Sequence, residues 1–285
     1  MDEKGLGKRL QALRREAGIT QQELCHQANL SFSTLAKIER GAIKSPSVFT
    51  VKNIAEVLGL SLDQLLNLKT PHGVGRNLQK SKSGVSFIYF DINGCLVRFY
   101  QRASARVAED YGLAPELVEM AYLHFNDEIC RGTMTMDEFN AAVAARLGLK
   151  SLDWAKYYLE ASEPLLDMHK TLTWAAEHYR IGLLTNIMPG MLDKLLELGK
   201  VPSLPYDVIV DSSLVGSVKP EPQIYKYAAE QAGVPVDEIL FIDDTQANLV
   251  AAEKLDWRVV WFDYARPEES AAHIREVLEV ADSRL

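Results

Sequence analysis

Four short stretches carry side chains that could do chemistry. Residues 85–90 (VSFIYF) are largely apolar and rich in β-branched and aromatic side chains; they run straight into Asp91, with Asn93-Gly94 close behind. Residues 182–184 run into Thr185 and Asn186, a hydroxyl and an amide. Lys219-Pro220 follows a short polar loop, and residues 240–242 end in the pair Asp243-Asp244. In chain order the groups are a carboxylate, a hydroxyl, an ammonium and a carboxylate pair. Such groups suit phosphoryl transfer, which needs positioning and charge neutralisation above all. A carboxylate pair also suits Mg2+, a hard cation that prefers oxygen ligands. Each stretch alone has a plainer reading: a hairpin strand ending in a turn, a strand-end threonine, a surface lysine, exposed carboxylates.

Brought together, these groups need a scaffold. Apolar, β-branched runs predict strands at 85–90, 180–185, 207–211, 238–243 and 258–262. Helices are expected between and after them, near 189–199, 222–232, 246–255 and 267–282. Alternation of this kind implies an α/β, Rossmann-like parallel sheet covered on both faces. Asp91, Thr185 and Asp243 then fall at the carboxyl ends of strands, where open α/β sheets hold their ligands. Residues 98–175 break the alternation and read as helices only, near 102–111, 115–126, 137–147 and 152–160. Thr135-Met-Asp-Glu138 in that insert is a capping box.

The order and context of the four stretches resemble the motifs of the haloacid dehalogenase-like superfamily, most of whose members are phosphatases. The resemblance covers roughly residues 85–265. It implies that Asp91 is the nucleophile that attacks phosphorus and forms an aspartyl-phosphate. Thr185, with Asn186 beside it, matches the hydroxyl that holds a phosphate oxygen. Lys219 matches the cation that neutralises nucleophile and phosphate. The cofactor implied is Mg2+, held by Asp91, the backbone carbonyl of Asn93, and Asp243 with Asp244. An all-helical insert after the first strand is similar to the helical caps of this family, which close over the site and choose the substrate. Arg131, in that cap, is a candidate anion contact; a solvated helix-end arginine is the plainer reading. Two positions depart from the pattern. Family phosphatases usually carry Asp two residues after the nucleophile, as general acid and base; here it is Asn93, whose amide exchanges no proton near pH 7. Cys95 stands where Thr is common.

Residues 1–70 read as short helices. Leu6, Leu10 and Leu13 have helical spacing, Thr20-Gln-Gln-Glu23 is a capping box, and Ser31, Ser47 and Ser61 are cap candidates for helices at 32–40, 48–58 and 62–68. Leu24, Ala28, Leu35 and Ile38 are the expected core. Two short helices joined by a tight turn describe a helix-turn-helix. The full pattern, from about Leu6 to Leu66, resembles the Cro/repressor-like (XRE-type) family of five-helix DNA-binding domains. By position, that resemblance makes Phe32, Ser33 and Lys37 base-edge readers with Thr34 nearby. Gln21 matches a backbone-contacting position, and Arg40 and Lys44 are phosphate contacts. The partner implied is a double-stranded DNA operator, bound by a homodimer with half-sites one helical turn apart. The alternative is a small helical bundle for protein interaction.

The whole chain thus reads as multidomain: an all-α DNA-binding domain at 1–70, a linker at 71–84, and a haloacid dehalogenase-like domain at 85–285 with an all-helical cap at about 98–175. The linker, PHGVGRNLQKSKSG, has the composition of a flexible tether. Charge follows the same division. Residues 1–84 carry 13 Lys+Arg and 7 Asp+Glu, a net +6, and the remainder carries 18 and 32, a net −14. A polyanion partner is expected for the first part only. No apolar run is long enough for a membrane span, the amino terminus has no signal-peptide core, and Cys25, Cys95 and Cys130 are too scattered for a disulfide framework. The expected location is a reducing cytoplasm. Three functions fit: a DNA-binding regulator that senses a phosphorylated small molecule with weak turnover or none, an active Mg2+-dependent phosphatase with a DNA-binding domain, or a dead enzyme domain kept for dimerisation or scaffolding.

Overall fold

The computed structural model describes residues 5–28, 30–43, 46–60, 80–98 and 100–279. The chain divides into two units, Met1–Val74 and Gly75–Leu285. Among the described residues no helix is long and apolar enough to cross a membrane.

The first unit is helical: α1 (Gly5–Glu16), α2 (Gln21–Gln27), α3 (Phe32–Glu39) and α4 (Val48–Val57). Helix starts follow the cap residues. Thr20 accepts from the Glu23 amide while the Glu23 carboxylate accepts from the Thr20 amide, so two otherwise orphaned donors are satisfied. Ser31 and Ser47 cap α3 and α4 by accepting from the Thr34 and Thr50 amides. Leu10, Leu24, Ala28, Leu35, Ile38, Val51 and Ile54 are buried together in the core. Ser61 and the expected helix at 62–68 lie outside the described residues.

The second unit is built on five parallel strands: β1 (Phe87–Phe90), β4 (Arg180–Thr185), β5 (Val208–Asp211), β6 (Ile239–Asp243) and β7 (Arg258–Trp261), in the order β5-β4-β1-β6-β7. β1 is central, paired with β4 on one side and β6 on the other. Its side chains alternate between the two faces. Phe87 and Tyr89 join a core with Tyr225, Phe241 and Trp257, while Ile88 and Phe90 join a second core with Leu183, Leu240 and Ile242. The chain leaves β1 to one side through β4 and β5, then returns to the other through β6 and β7. The strand order therefore switches beside β1, where a crevice opens at the carboxyl ends. Helices that cover the sheet include α10 (Met191–Glu197), α12 (Pro222–Ala232), α13 (Gln246–Glu253) and α14 (Pro267–Leu278), with a short turn of helix, α11 (Ser212–Val215), after β5.

The insert departs from expectation in two ways. A two-stranded antiparallel ladder, β2 (Val97–Arg98) with β3 (Glu163–Pro164), closes its base. Between them lie α5 (Tyr100–Tyr111), α6 (Pro115–Cys130), α7 (Met136–Arg146) and α8 (Trp154–Ala161). The cap therefore ends near residue 162, not 175. The next helix, α9 (Leu166–His178), packs on β4 and α14 and belongs to the layer over the sheet. Its buried stripe of Met168, Leu172, Ala175 and Ala176 has the same period as a cap helix, so periodicity alone does not say which layer buries it. The second unit also begins before residue 85. Residues 71–79 lie outside the described residues, but Ser81 is buried, exchanging backbone and hydroxyl bonds with Val85, and Lys80 pairs with Glu238. Residues 80–84 are thus part of the second unit.

Candidate active site and DNA-reading helix

Asp91 continues β1 by one residue, its amide donating to the Ile242 carbonyl at 2.9 Å. The chain then turns tightly. Gly94 has φ +96°, and a Cβ there would stand 2.2 Å from an Asp244 carboxylate oxygen. Glycine is needed at this turn both for the positive φ and to let Asp244 close against the backbone. Asp91, Cys95 and Asp244 bring ligand atoms within 4.8 Å of one another. The Cys95 thiol is buried and its pKa is pushed well up, so it stays protonated. The oxygen donors here are therefore the two carboxylates and the backbone.

Asn186 positions the lysine. Its amide donates to the Lys219 carbonyl and accepts from the Lys219 amide, both at 2.8 Å. The Lys219 ammonium, almost fully buried, lies 2.6 Å from Asp243 Oδ2 and 2.7 Å from Asp91 Oδ1. The first contact is a hydrogen bond; the second is close but outside hydrogen-bonding angles, a contact of charge on charge. Burial alone would lower the lysine pKa, but Asp243 and Asp91 raise it, so the ammonium stays charged. Burial pushes the pKa of Asp91 and of Asp244 up, and the neighbouring carboxylates add to the rise. Crowded, desolvated acids of this kind are relieved by a cation.

The acidic pair divides its work. Asp243 is fully buried, and both its oxygens are engaged by Lys219, the Thr245 amide and the Asn248 side chain. Asp244 instead lines a cavity of about 720 Å3. Of the pair expected to hold a metal, only Asp244 faces the cavity; Asp243 is turned inward onto Lys219 and Asn248. Thr185, at the end of β4, buries its hydroxyl with no partner among the described residues. Asn93 has both ends of its amide in use: Nδ2 donates to the Asn186 carbonyl at 3.1 Å, and Oδ1 accepts from the Tyr158 hydroxyl of cap helix α8 at 2.8 Å.

Arg131 departs from the reading as an anion contact. Its guanidinium makes two 2.8 Å bonds to Glu221, whose pKa that bond holds well below the ordinary carboxylate range, and it does not line the cavity. The loop is pressed onto the core at the next residue, where a Cβ on Gly132 would meet the Ser213 carbonyl at 2.2 Å. Arg131 thus ties cap to core. Sequence reasoning missed Arg98, Tyr122, Asn126, Asn248 and Tyr264, which line the same cavity, and Tyr158, which reaches Asn93. Only Asn248 carried a local signal, being one turn into the helix that follows the acidic pair.

In the first unit, Phe32 (52% exposed), Ser33, Lys37 and Arg40 form an exposed face of α3 at helical spacing, opposite the buried Leu35 and Ile38. Thr34 is half-buried, its hydroxyl bonded to that of Ser31. Gln21 donates to Glu39 at 2.7 Å, so it is held in place by the fold. Lys44 lies outside the described residues.

Comparison with known proteins falls on the same two regions. A model of the haloacid dehalogenase-like hydrolases matches residues 86–256, and one of the helix-turn-helix family matches residues 10–65. A phosphatase of Mycobacterium tuberculosis is 29% identical over 177 residues, 56% of this chain and 79% of the relative. An immunity repressor protein of Bacillus phage phi105 is 38% identical over 65 residues, 23% of this chain and 44% of the repressor. A drimenol cyclase of Aspergillus calidoustus is 29% identical over 153 residues, 51% of this chain; the chain spans only 29% of that protein's length. Among solved structures, a predicted hydrolase of this fold from Porphyromonas gingivalis superposes with TM-score 0.58 at 23% identity, covering 69% of this chain and 99% of that one. An enzyme from Bacteroides thetaiotaomicron, solved as an alanine mutant with magnesium and inorganic phosphate, gives 0.54 at 19% identity, covering 64% and 95%. At these identities the likeness to the solved structures is one of fold.

Proposed function

Because the chain belongs to the haloacid dehalogenase-like hydrolases and carries a helix-turn-helix domain ahead of that body, we propose that it is a DNA-binding regulator. In this reading the hydrolase-like body binds Mg2+ and a phosphorylated small molecule as its signal and turns it over slowly. The observation that carries it is Asn93, an amide with both ends engaged at the position where a phosphatase would need a proton carrier. Asp91, Lys219 and Asp244 line the cavity beside it, which supports the reading.

The residues fit a divalent cation. Asp91 and Asp244 present facing carboxylates beside a glycine that leaves them room, and the Asn93 carbonyl is the third candidate ligand. Mg2+ bound there would supply charge neutralisation for a phosphoryl oxygen. The chain's own groups do the rest. Lys219 aims Asp91 and opposes the rise in its pKa that burial causes, and Asn186 fixes the lysine backbone. The Thr185 hydroxyl, buried without a partner among the described residues, is the candidate donor to a phosphoryl oxygen. Attack by Asp91 on phosphorus forms the acyl-phosphate bond and breaks the ester bond, leaving an alkoxide that needs a proton. Asn93 has none to give, so esters with poor leaving groups stall. General acid–base catalysis is worth about 10²–10⁴-fold, which sets the size of the deficit.

Phosphate release from an aryl phosphate and a sugar-phosphate panel, with Mg2+, tests this. Slow native turnover, a rise of about 10²-fold in Asn93→Asp on sugar phosphates and none in Asp91→Asn is the expected pattern. A native chain as fast as Asn93→Asp, and dead as Asp91→Asn, overturns it in favour of a working phosphatase with an attached DNA-binding domain. That second reading is supported by the presence of Asp91, Thr185, Lys219 and Asp244. On either reading the DNA partner is a double-stranded operator. A homodimer would bind it, with Phe32, Ser33 and Lys37 toward the bases and Arg40 toward phosphates.

A further inference from the structure

We propose that the cavity takes phosphate esters whose leaving group carries a second acidic function, and that Arg98 receives it. This rests on the phosphoryl-binding reading above and names the class of ligand within it. Arg98 lines the same cavity as Asp91, Lys219 and Asp244. Its backbone is fixed twice over. The chain doubles back after Gly94, whose amide donates to the Val97 carbonyl, and Arg98 then pairs with Glu163 in the ladder at the base of the cap. The side chain thus lines the cavity from a strand of the ladder, not from a loop.

The guanidinium is under-used. One Nη donates to the Tyr264 carbonyl at 2.7 Å, while Nε is buried with no acceptor. Among the described residues no carboxylate pairs with it, whereas Arg14, Arg102, Arg131 and Arg180 each face one. A buried donor left unmade is costly, and a charged one more so. Nor is Lys219 available for a second anion, since Asp91 and Asp243 already match its charge. A ligand with one phosphoryl group and a neutral remainder would leave Arg98 unanswered. A ligand with a further carboxylate or phosphate would meet the remaining Nη donors of that guanidinium in charge-assisted bonds.

Phosphonates test this without turnover, since their P–C bond is not hydrolysed. Binding of propylphosphonate, 3-phosphonopropionate and propane-1,3-bisphosphonate to the native chain with Mg2+ is measured by titration calorimetry, with spacers of one to four carbons for the two diacids. At least one diacid is expected to bind about tenfold tighter than the plain phosphonate or better, as a charge-assisted bond implies. Whichever diacid gains more identifies the second acid. In Arg98→Gln the ratio of diacid to plain phosphonate falls toward one, and Arg98→Lys, which keeps the charge without the guanidinium, retains part of it. Equal binding of all three compounds by the native chain, or an advantage that survives Arg98→Gln, overturns the Arg98 assignment and leaves the phosphoryl site standing. No binding of any phosphonate, nor of inorganic phosphate, overturns both. The native comparison decides the matter even if Arg98→Gln fails to fold.

Discussion

Thr185 buries a hydroxyl that finds no partner among the described residues, whereas Asn93, a few ångströms of chain away from the nucleophile, has both ends of its amide engaged. The two cases have opposite consequences. An unmade buried hydrogen bond costs about 1–3 kcal/mol, a cost a bound phosphoryl oxygen would remove. Thr185→Val should therefore leave the thermal midpoint unchanged or raise it slightly, while weakening binding of inorganic phosphate with Mg2+ by about tenfold. Thermal unfolding and phosphate titration on the same preparation check the pair of signs. A midpoint that falls together with affinity would mean that the hydroxyl supports the fold, and the phosphate role would be lost. Asn93 is different because its donor end is satisfied by a carbonyl. An ionised aspartate there could still accept from Tyr158, yet it would face the Asn186 carbonyl with no hydrogen to offer. The amide is thus a structural choice as well as a chemical one.

At the scale of elements, α3 is held by a charge inside the fold. Glu39, at the end of α3, is buried and bonded to Arg14 Nε at 2.7 Å, with Gln11 and Gln21 adding further donors. Arg14 also reaches the Ile19 carbonyl, so α1, α2 and α3 share one polar knot. Burial by itself would raise the Glu39 pKa; the bonds from Arg14 and Gln21 outweigh it and lower it below its ordinary 4.5. The sign follows. A carboxylate whose pKa is lower folded than unfolded stabilises above pH 4.5, and that stabilisation is lost as pH falls through the folded value. Removing one partner of a buried pair costs about 3–5 kcal/mol. Glu39→Gln should therefore lower the melting point of the helix-turn-helix transition at pH 7 and flatten its acid dependence below pH 4.5, read by circular dichroism; an unchanged acid limb would show that another group governs it. None of this was legible beforehand, because Arg14 and Glu39 are 25 residues apart and each reads as an ordinary surface charge. What was legible was local. Thr20, Ser31 and Ser47 announced helix starts through their own backbone neighbours. Asp91, Thr185 and Asp243 stood out because apolar strands end abruptly in them. Contacts across the chain were not. Arg131 is taken by Glu221 ninety residues on, Asp243 turns inward while Asp244 faces the cavity, and Arg98 meets Tyr264 only after the ladder closes. Adjacent residues at a strand end point in different directions, and sequence does not say which direction holds the ligand.

At the scale of the whole molecule, a basic segment of net +6 precedes an acidic remainder of net −14. The acidic part repels DNA, so attraction to it rests on residues 1–84 and should weaken with salt. Whether the second unit speaks to the first is a question of coupling free energy, and coupling is reciprocal: if the phosphoryl ligand changes operator affinity by some factor, the operator must change ligand affinity by the same factor. An operator can be selected from random duplex DNA with the native chain. Its affinity is then measured with and without inorganic phosphate and Mg2+, and the phosphate affinity is measured with and without operator. The regulator reading expects matching factors of about 5–150, the usual range for coupled sites. Lys37→Ala should lose operator selectivity, since a base-edge contact is worth about 1–3 kcal/mol, while keeping its phosphate affinity. Operator affinity that is indifferent to phosphate, together with measurable phosphate binding, would mean two modules joined by a tether without communication. The body would then act as an enzyme delivered to DNA and not as a sensor that controls binding to it.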